Sequence, residues 1–176
     1  YLVLAGAVFT IHPLPLPPNW KMDSEGLRLL GIALLAAAVA YVLLCSWSKQ
    51  RSWTIRGHEL LLPRPRMAFL QLAVSCTNWA IMGGAIWILL QGKVDYPVVL
   101  AVLLLAAGAG VISHVPAGLG VLEAVFVALL SHQVPEHQLI GALLGYRALY
   151  YIAPLLIAAL LYLTVEVRAR KEAAAA

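Results

Sequence analysis

The chain has 176 residues, 62% of them hydrophobic and 11% charged, and its 12 Lys and Arg against 8 Asp and Glu leave a formal charge of +4. A soluble domain clothes its surface with roughly 25% charged residues, so this composition excludes a water-solvated exterior and calls for a bilayer. The positive excess lies in two clusters flanking apolar runs, which suits membrane orientation and anionic lipid and argues against nucleic acid.

Residues 1–11 are apolar, but as a helix they span only about 16 Å against about 30 Å of hydrocarbon. They lack the basic start of a signal peptide. The expectation is the end of a helix that begins upstream, in a longer protein of which this is the C-terminal part. Residues 12–26, with Pro13, Pro15, Pro17 and Pro18, form a loop in which Trp20 is an interface anchor. Residues 27–47 are long enough to span. Residues 48–66 hold Lys49, Arg51, Arg56, Arg64 and Arg66 against Glu59, which makes this loop cytoplasmic. The next span is 67–91, with Gln71, Ser75, Thr77 and Asn78 as its polar interior, and 92–96 turn back on the opposite side.

The apolar stretch that follows is interrupted. Hairpin arms 97–113 and 119–131 fold at a His-Val-Pro-Ala-Gly-Leu-Gly run, 114–120, after which the apolar piece is 121–130, and 132–138 form a polar loop. A last helix, 139–165, leads into Arg168, Arg170 and Lys171, a second cytoplasmic cluster. Two basic segments on one side require an even number of crossings between them. Helices 67–91 and 139–165 supply two, so 97–131 starts and ends outside as a helical hairpin. The fold class is an all-α polytopic membrane bundle with a broken or re-entrant hairpin.

Irregular backbone at membrane depth is tolerated only inside protein or beside a watery cavity. The break therefore marks either a lined cavity or a tight turn between packed half-helices. In the cavity reading, N–H groups opening the second half-helix suit a phosphate or carboxylate. Glu123, three residues after Gly120, is a first-turn carboxylate reaching back to backbone N–H, an intramembrane acid, or both. Arg147 falls about 12 Å into the last helix, where an unpaired guanidinium costs about 3 to over 10 kcal/mol. It needs Glu123 or a lipid phosphate, unless the helix slides and it snorkels. Tyr150 and Tyr151 follow Arg147 at helical spacing and Tyr146 precedes it; they are packing residues or hold a head-group. Pro154 kinks the helix. His114 beside the break is a structural hydrogen-bonder or a catalyst. Cys45 and Cys76 are small apolar residues, and neither a metal motif nor a nucleophile elbow is present.

The run Ser113-His114-Val115-Pro116-Ala117-Gly118-Leu119-Gly120-Val121-Leu122-Glu123, with Tyr146-Arg147 and Tyr150 to Pro154, resembles the transmembrane (flippase) domain of lysylphosphatidylglycerol synthases. It is more similar to the stand-alone YbhN-like bacterial inner-membrane proteins, as are Trp53 to Gly57 and Asn78-Trp79. Many members have glycine where Ala117 stands. The N-terminal half of the family's domain and its soluble aminoacyltransferase domain are not in this sequence, so lipid aminoacylation is not implied. The resemblance implies a multi-pass inner-membrane protein with a cytoplasmic C-terminus that binds an anionic or modified phospholipid and moves it between leaflets. Arg147, Glu123, His114, Pro116, Gly118, Gly120, Tyr146 and Tyr150 are its substrate-binding candidates, with no catalytic residue, metal or cofactor. A homo-oligomer or a partner membrane protein is left open. The rival readings are a non-transporting scaffold and an intramembrane enzyme using His114 and Glu123.

Overall fold

A computed structural model describes residues 1–17, 20, 23–47, 52–55, 58–61, 63–115 and 118–175. Helix α1 (Leu2–Ile11) leads through a proline-rich loop to α2 (Ser24–Trp47). A two-stranded antiparallel hairpin follows, β1 (Ser52–Ile55) and β2 (His58–Leu61), in the register Ser52↔Leu61 to Ile55↔His58. The remaining elements are α3 (Pro65–Leu89), α4 (Tyr96–Ser113), α5 (Val121–Leu130), α6 (Glu136–Arg147), a π-helical turn (Ala148–Ile152) and α7 (Ala153–Ala175). The chain is thus an all-α membrane bundle carrying, among the described residues, a small β-hairpin. Among the described residues four helical runs are long and apolar enough to cross a bilayer: Ser24–Trp47, Pro65–Leu89, Tyr96–Ser113 and Glu136–Val167.

The centre is α4. Val99 to Leu104 and Ala106 are all buried, as expected for a helix that is apolar all round and covered on every side. It packs against α1, α3 and α5. Leu14, Val94 and Val134 lie in the same buried cluster, so the loops after α1, α3 and α5 fold onto the core, those after α3 and α5 side by side at one end of the bundle. Lys93 Nζ donates to Gln138 Oε1 at 2.5 Å across that end. The hairpin α4–α5 therefore begins and ends on one side. By contrast α2 and α7 expose rows of Leu, Ile and Val, including Leu29, Ile32, Val39, Leu155, Leu156 and Leu160. In water this is untenable; in lipid it is the ordinary solvent-facing surface.

The basic clusters set an expected orientation, with 48–66 and the C-terminal cluster on the cytoplasmic side. On a Cys45→Ser, Cys76→Ser background, a cysteine at position 136 is expected to react with an impermeant thiol reagent added outside, and one at position 56 to be spared. The reverse pattern overturns the orientation.

Helices α1 and α2 approach through glycine. A Cβ at Gly31 would meet Thr10 Oγ1 at 2.7 Å and the Gly6 carbonyl oxygen at 3.0 Å; one at Gly6 would meet Leu35 Cγ at 2.7 Å. Small residues that let backbones close up are a main source of helix association in lipid. Gly31→Leu is accordingly expected to lower the detergent melting temperature by several degrees, and an unchanged melt would show that the two helices are not held there.

The last helix departs from the expected single span at 139–165. It starts at Glu136, runs on to Ala175, and is interrupted by the π turn at Ala148–Ile152. Pro154 explains the interruption. Its ring removes one N–H and crowds the carbonyl of residue 150, and widening the preceding turn to i→i+5 bonding relieves that clash.

Candidate functional site

The tip of the α4–α5 hairpin is built from residues that tolerate unusual backbone. His114 ends α4 in the left-handed region, φ 54°, a conformation that histidine visits more readily than most side chains. Gly118 (φ 57°) and Gly120 (φ 79°) are also left-handed, which glycine permits without a Cβ clash. Gly120 caps α5, and that places Glu123 in the helix's first turn. A carboxylate three residues past the cap stands where a capping-box acid stands.

Arg147 meets this acid from across the bundle. Its Nε donates to Glu123 Oε1 at 2.6 Å and its Nη2 to Glu123 Oε2 at 3.1 Å, a two-pronged pair. Nη2 also donates to the Gly118 carbonyl at 3.2 Å. One guanidinium thus neutralises the acid and satisfies a carbonyl at the irregular tip. Their side chains are only 14% and 21% exposed. Arg147 lies about 17 Å along its helix from Glu136 at 1.5 Å per residue, roughly half the hydrocarbon thickness.

A cavity of about 460 Å³ opens beside the pair. Arg147, Tyr146, Tyr151, Gly118, Leu122 and His114 form one wall; Trp79 and Met82 of α3 and Leu103, Ala106, Ala107 and Gly110 of α4 form the other. Small residues on α4 leave the volume. The wall is thus mostly apolar with a few polar groups, the usual character of a small-molecule pocket.

The structure separates the remaining candidates. His114 is exposed at the cavity edge, its Nδ1 2.8 Å from the Ile112 carbonyl oxygen. Tyr150 donates to Asn78 Oδ1 at 2.7 Å, which ties the π turn to α3. Tyr146 is 1% exposed, stacked on Tyr150 with ring centres 5.5 Å apart. Pro116 lies outside the described residues. Sequence reasoning missed Trp79, Met82 and the Ala106-Ala107-Gly110 wall as cavity residues. The small residues were the signal available, since three within five positions on a buried helix leave room for something else. Among the described residues no cluster of His, Cys, Asp or Glu suits a metal ion.

The profile of the lysylphosphatidylglycerol synthase TM region matches residues 1–158. The chain belongs to that family. It is 47% identical to the inner membrane protein YbhN of Escherichia coli over 172 residues, 97% of this chain and 54% of that protein. It is 31% identical to an uncharacterised Synechocystis protein over 88% of this chain and 48% of that one. The phosphatidylglycerol lysyltransferase of Staphylococcus aureus shares 31% identity over 50% of this chain and 11% of its own length. The chain thus spans about half the length of its fuller-length relatives. Likeness to YbhN along nearly the whole chain, together with the membrane-length helices, places this lysylphosphatidylglycerol-synthase TM-region protein in the inner membrane.

Proposed function

We propose that this protein binds a phosphate-bearing membrane lipid in the hairpin cavity and helps move it between leaflets without covalent chemistry. The observation that carries the reading is the Arg147–Glu123 pair, formed at a hairpin break, about 17 Å along the last apolar helix, and beside the 460 Å³ cavity. A guanidinium at that depth is expensive for a merely structural role, and its forked donors match phosphate oxygens. Glu123 holds it when no lipid is present. A phosphate arriving in the cavity competes with the carboxylate, so the charge stays paired at each stage. The family's name and that of the staphylococcal relative both point to phospholipid as the class of molecule handled.

The test is leaflet redistribution of acyl-labelled phosphatidylglycerol in proteoliposomes holding the full-length protein. Wild type is expected to equilibrate the label and Arg147→Ala to slow it at least tenfold while remaining folded. Equal rates in protein-containing and protein-free vesicles would end the proposal.

The two-pronged closure of the pair also favours a scaffold, in which the charges only lock α5 to α6. Native mass spectrometry separates the two. The translocase retains phospholipid through mild detergent extraction and Arg147→Ala loses it, whereas a scaffold retains none in either form.

A further inference from the structure

Among the described residues of the hairpin tip, His114 is the left-handed residue that is not glycine. Gly118 and Gly120 reach φ 57° and 79° without a Cβ to clash, whereas His114 holds φ 54° with one. Left-handed backbone is strained for a residue with a side chain, and such strain collects where the side chain itself is needed. Glycine would end α4 with less strain, so the imidazole calls for an explanation.

Its ring chemistry supplies one. Nδ1 lies 2.8 Å from the Ile112 carbonyl oxygen. A carbonyl can only accept, so Nδ1 carries the proton, and Nε2 of the neutral ring keeps its lone pair as an acceptor. Among the described residues Nε2 has no hydrogen-bond partner, and the side chain is exposed at the edge of the cavity that Arg147 also lines. The Arg147 guanidinium and the His114 ring belong to one wall, while Trp79, Met82 and Leu103 make the other apolar. A lipid whose phosphate sits on Arg147 turns its chains toward the apolar wall and its head-group toward His114. We infer that His114 is a specificity-determining residue, whose Nε2 accepts a hydrogen bond from a head-group bearing an N–H or O–H donor beyond the phosphate. This rests on the proposed lipid translocation and adds a preference among lipids.

The test uses proteoliposomes holding the full-length protein and acyl-labelled phosphatidylethanolamine, its N,N-dimethyl derivative, phosphatidylcholine or phosphatidylglycerol. The first three carry the same charges and grow by methyl groups, but only phosphatidylcholine has no N–H. Wild type is expected to move the first two about fivefold faster than phosphatidylcholine, the factor one neutral hydrogen bond of typical strength gives. The loss should fall at the last methyl. Phosphatidylglycerol, whose head-group donors are hydroxyls, tells O–H from N–H: the faster class is the one the site takes. In His114→Gly the amine-series ratio should fall toward one. His114→Asn, which tolerates left-handed backbone and restores an acceptor, should recover part of it. A second readout guards against a structural role. Glycine relieves the strained backbone but gives up the bond to Ile112, so in lipid-free detergent His114→Gly should melt within about two degrees of wild type. A steady decline with each methyl, equal wild-type rates across the amine series, a preference that survives His114→Gly, or a melt lowered by several degrees would each overturn the inference while leaving translocation standing. Movement of no lipid at all would defeat the translocation reading, and this inference with it.

Discussion

Glu123→Ala is expected to be the most destabilising single change in this protein, by about 3–5 kcal/mol, the range for removing one member of a buried ion pair. The cause is what remains. Arg147 would keep its charge inside an apolar bundle with the Gly118 carbonyl as its remaining partner among the described residues. Nothing in the apolar walls of Trp79, Met82 and Leu103 can neutralise it. Neither partner is more than 21% exposed, so water compensates little. The damage should concentrate at the hairpin tip, where the first turn of α5 loses both its acid and its link to α6. Thermal melts and proteolysis of the purified protein in one detergent would show it. A Glu123→Ala protein that melts with wild type would mean that Arg147 is already hydrated, and the site would have to be redrawn as an open aqueous vestibule.

That pair was legible in the sequence for an energetic reason. Charges inside apolar runs are expensive enough to demand a partner, and Glu123 and Arg147 were opposite in sign and each set in an apolar helix. The hairpin was legible from parity, because two basic clusters constrain the crossings between them. The Pro154 disturbance was legible as a kink, but its form, a π turn spanning Ala148–Ile152, depends on how neighbouring carbonyls relax and leaves no periodic trace. The β-hairpin, with strands at 52–55 and 58–61, was overlooked inside a stretch interpreted for its charge and its family resemblance. Its signal was Trp53-Thr54-Ile55, two residues ending in glycine, then a second short run, a hairpin pattern. Tyr150 bonding to Asn78 joins residues 72 positions apart, and no local pattern predicts such a contact. The burial of Tyr146 was equally hidden, since only packing distinguishes it from Tyr151, which remains 47% exposed.

Whether the charges serve the lipid or only the fold is decided by removing both. Exchanging a buried ion pair for apolar residues of similar size is often neutral or stabilising, because two desolvation penalties disappear along with the attraction. Arg147→Leu combined with Glu123→Leu should therefore insert, fold and melt within about 1–2 kcal/mol of wild type, well above Glu123→Ala alone. The Gly118 carbonyl loses a donor, a modest loss of about 1 kcal/mol. Transport should behave differently. The forked donors that grip a phosphate are gone, and leucine offers the cavity nothing in their place. The double variant is thus expected to be stable yet to redistribute labelled phosphatidylglycerol no faster than protein-free vesicles. Melting temperature and leaflet redistribution, measured on the same preparation, must part company. If the double variant transports at the wild-type rate, the charges are structural, the cavity is not where lipid phosphate binds, and the scaffold reading of the pair prevails.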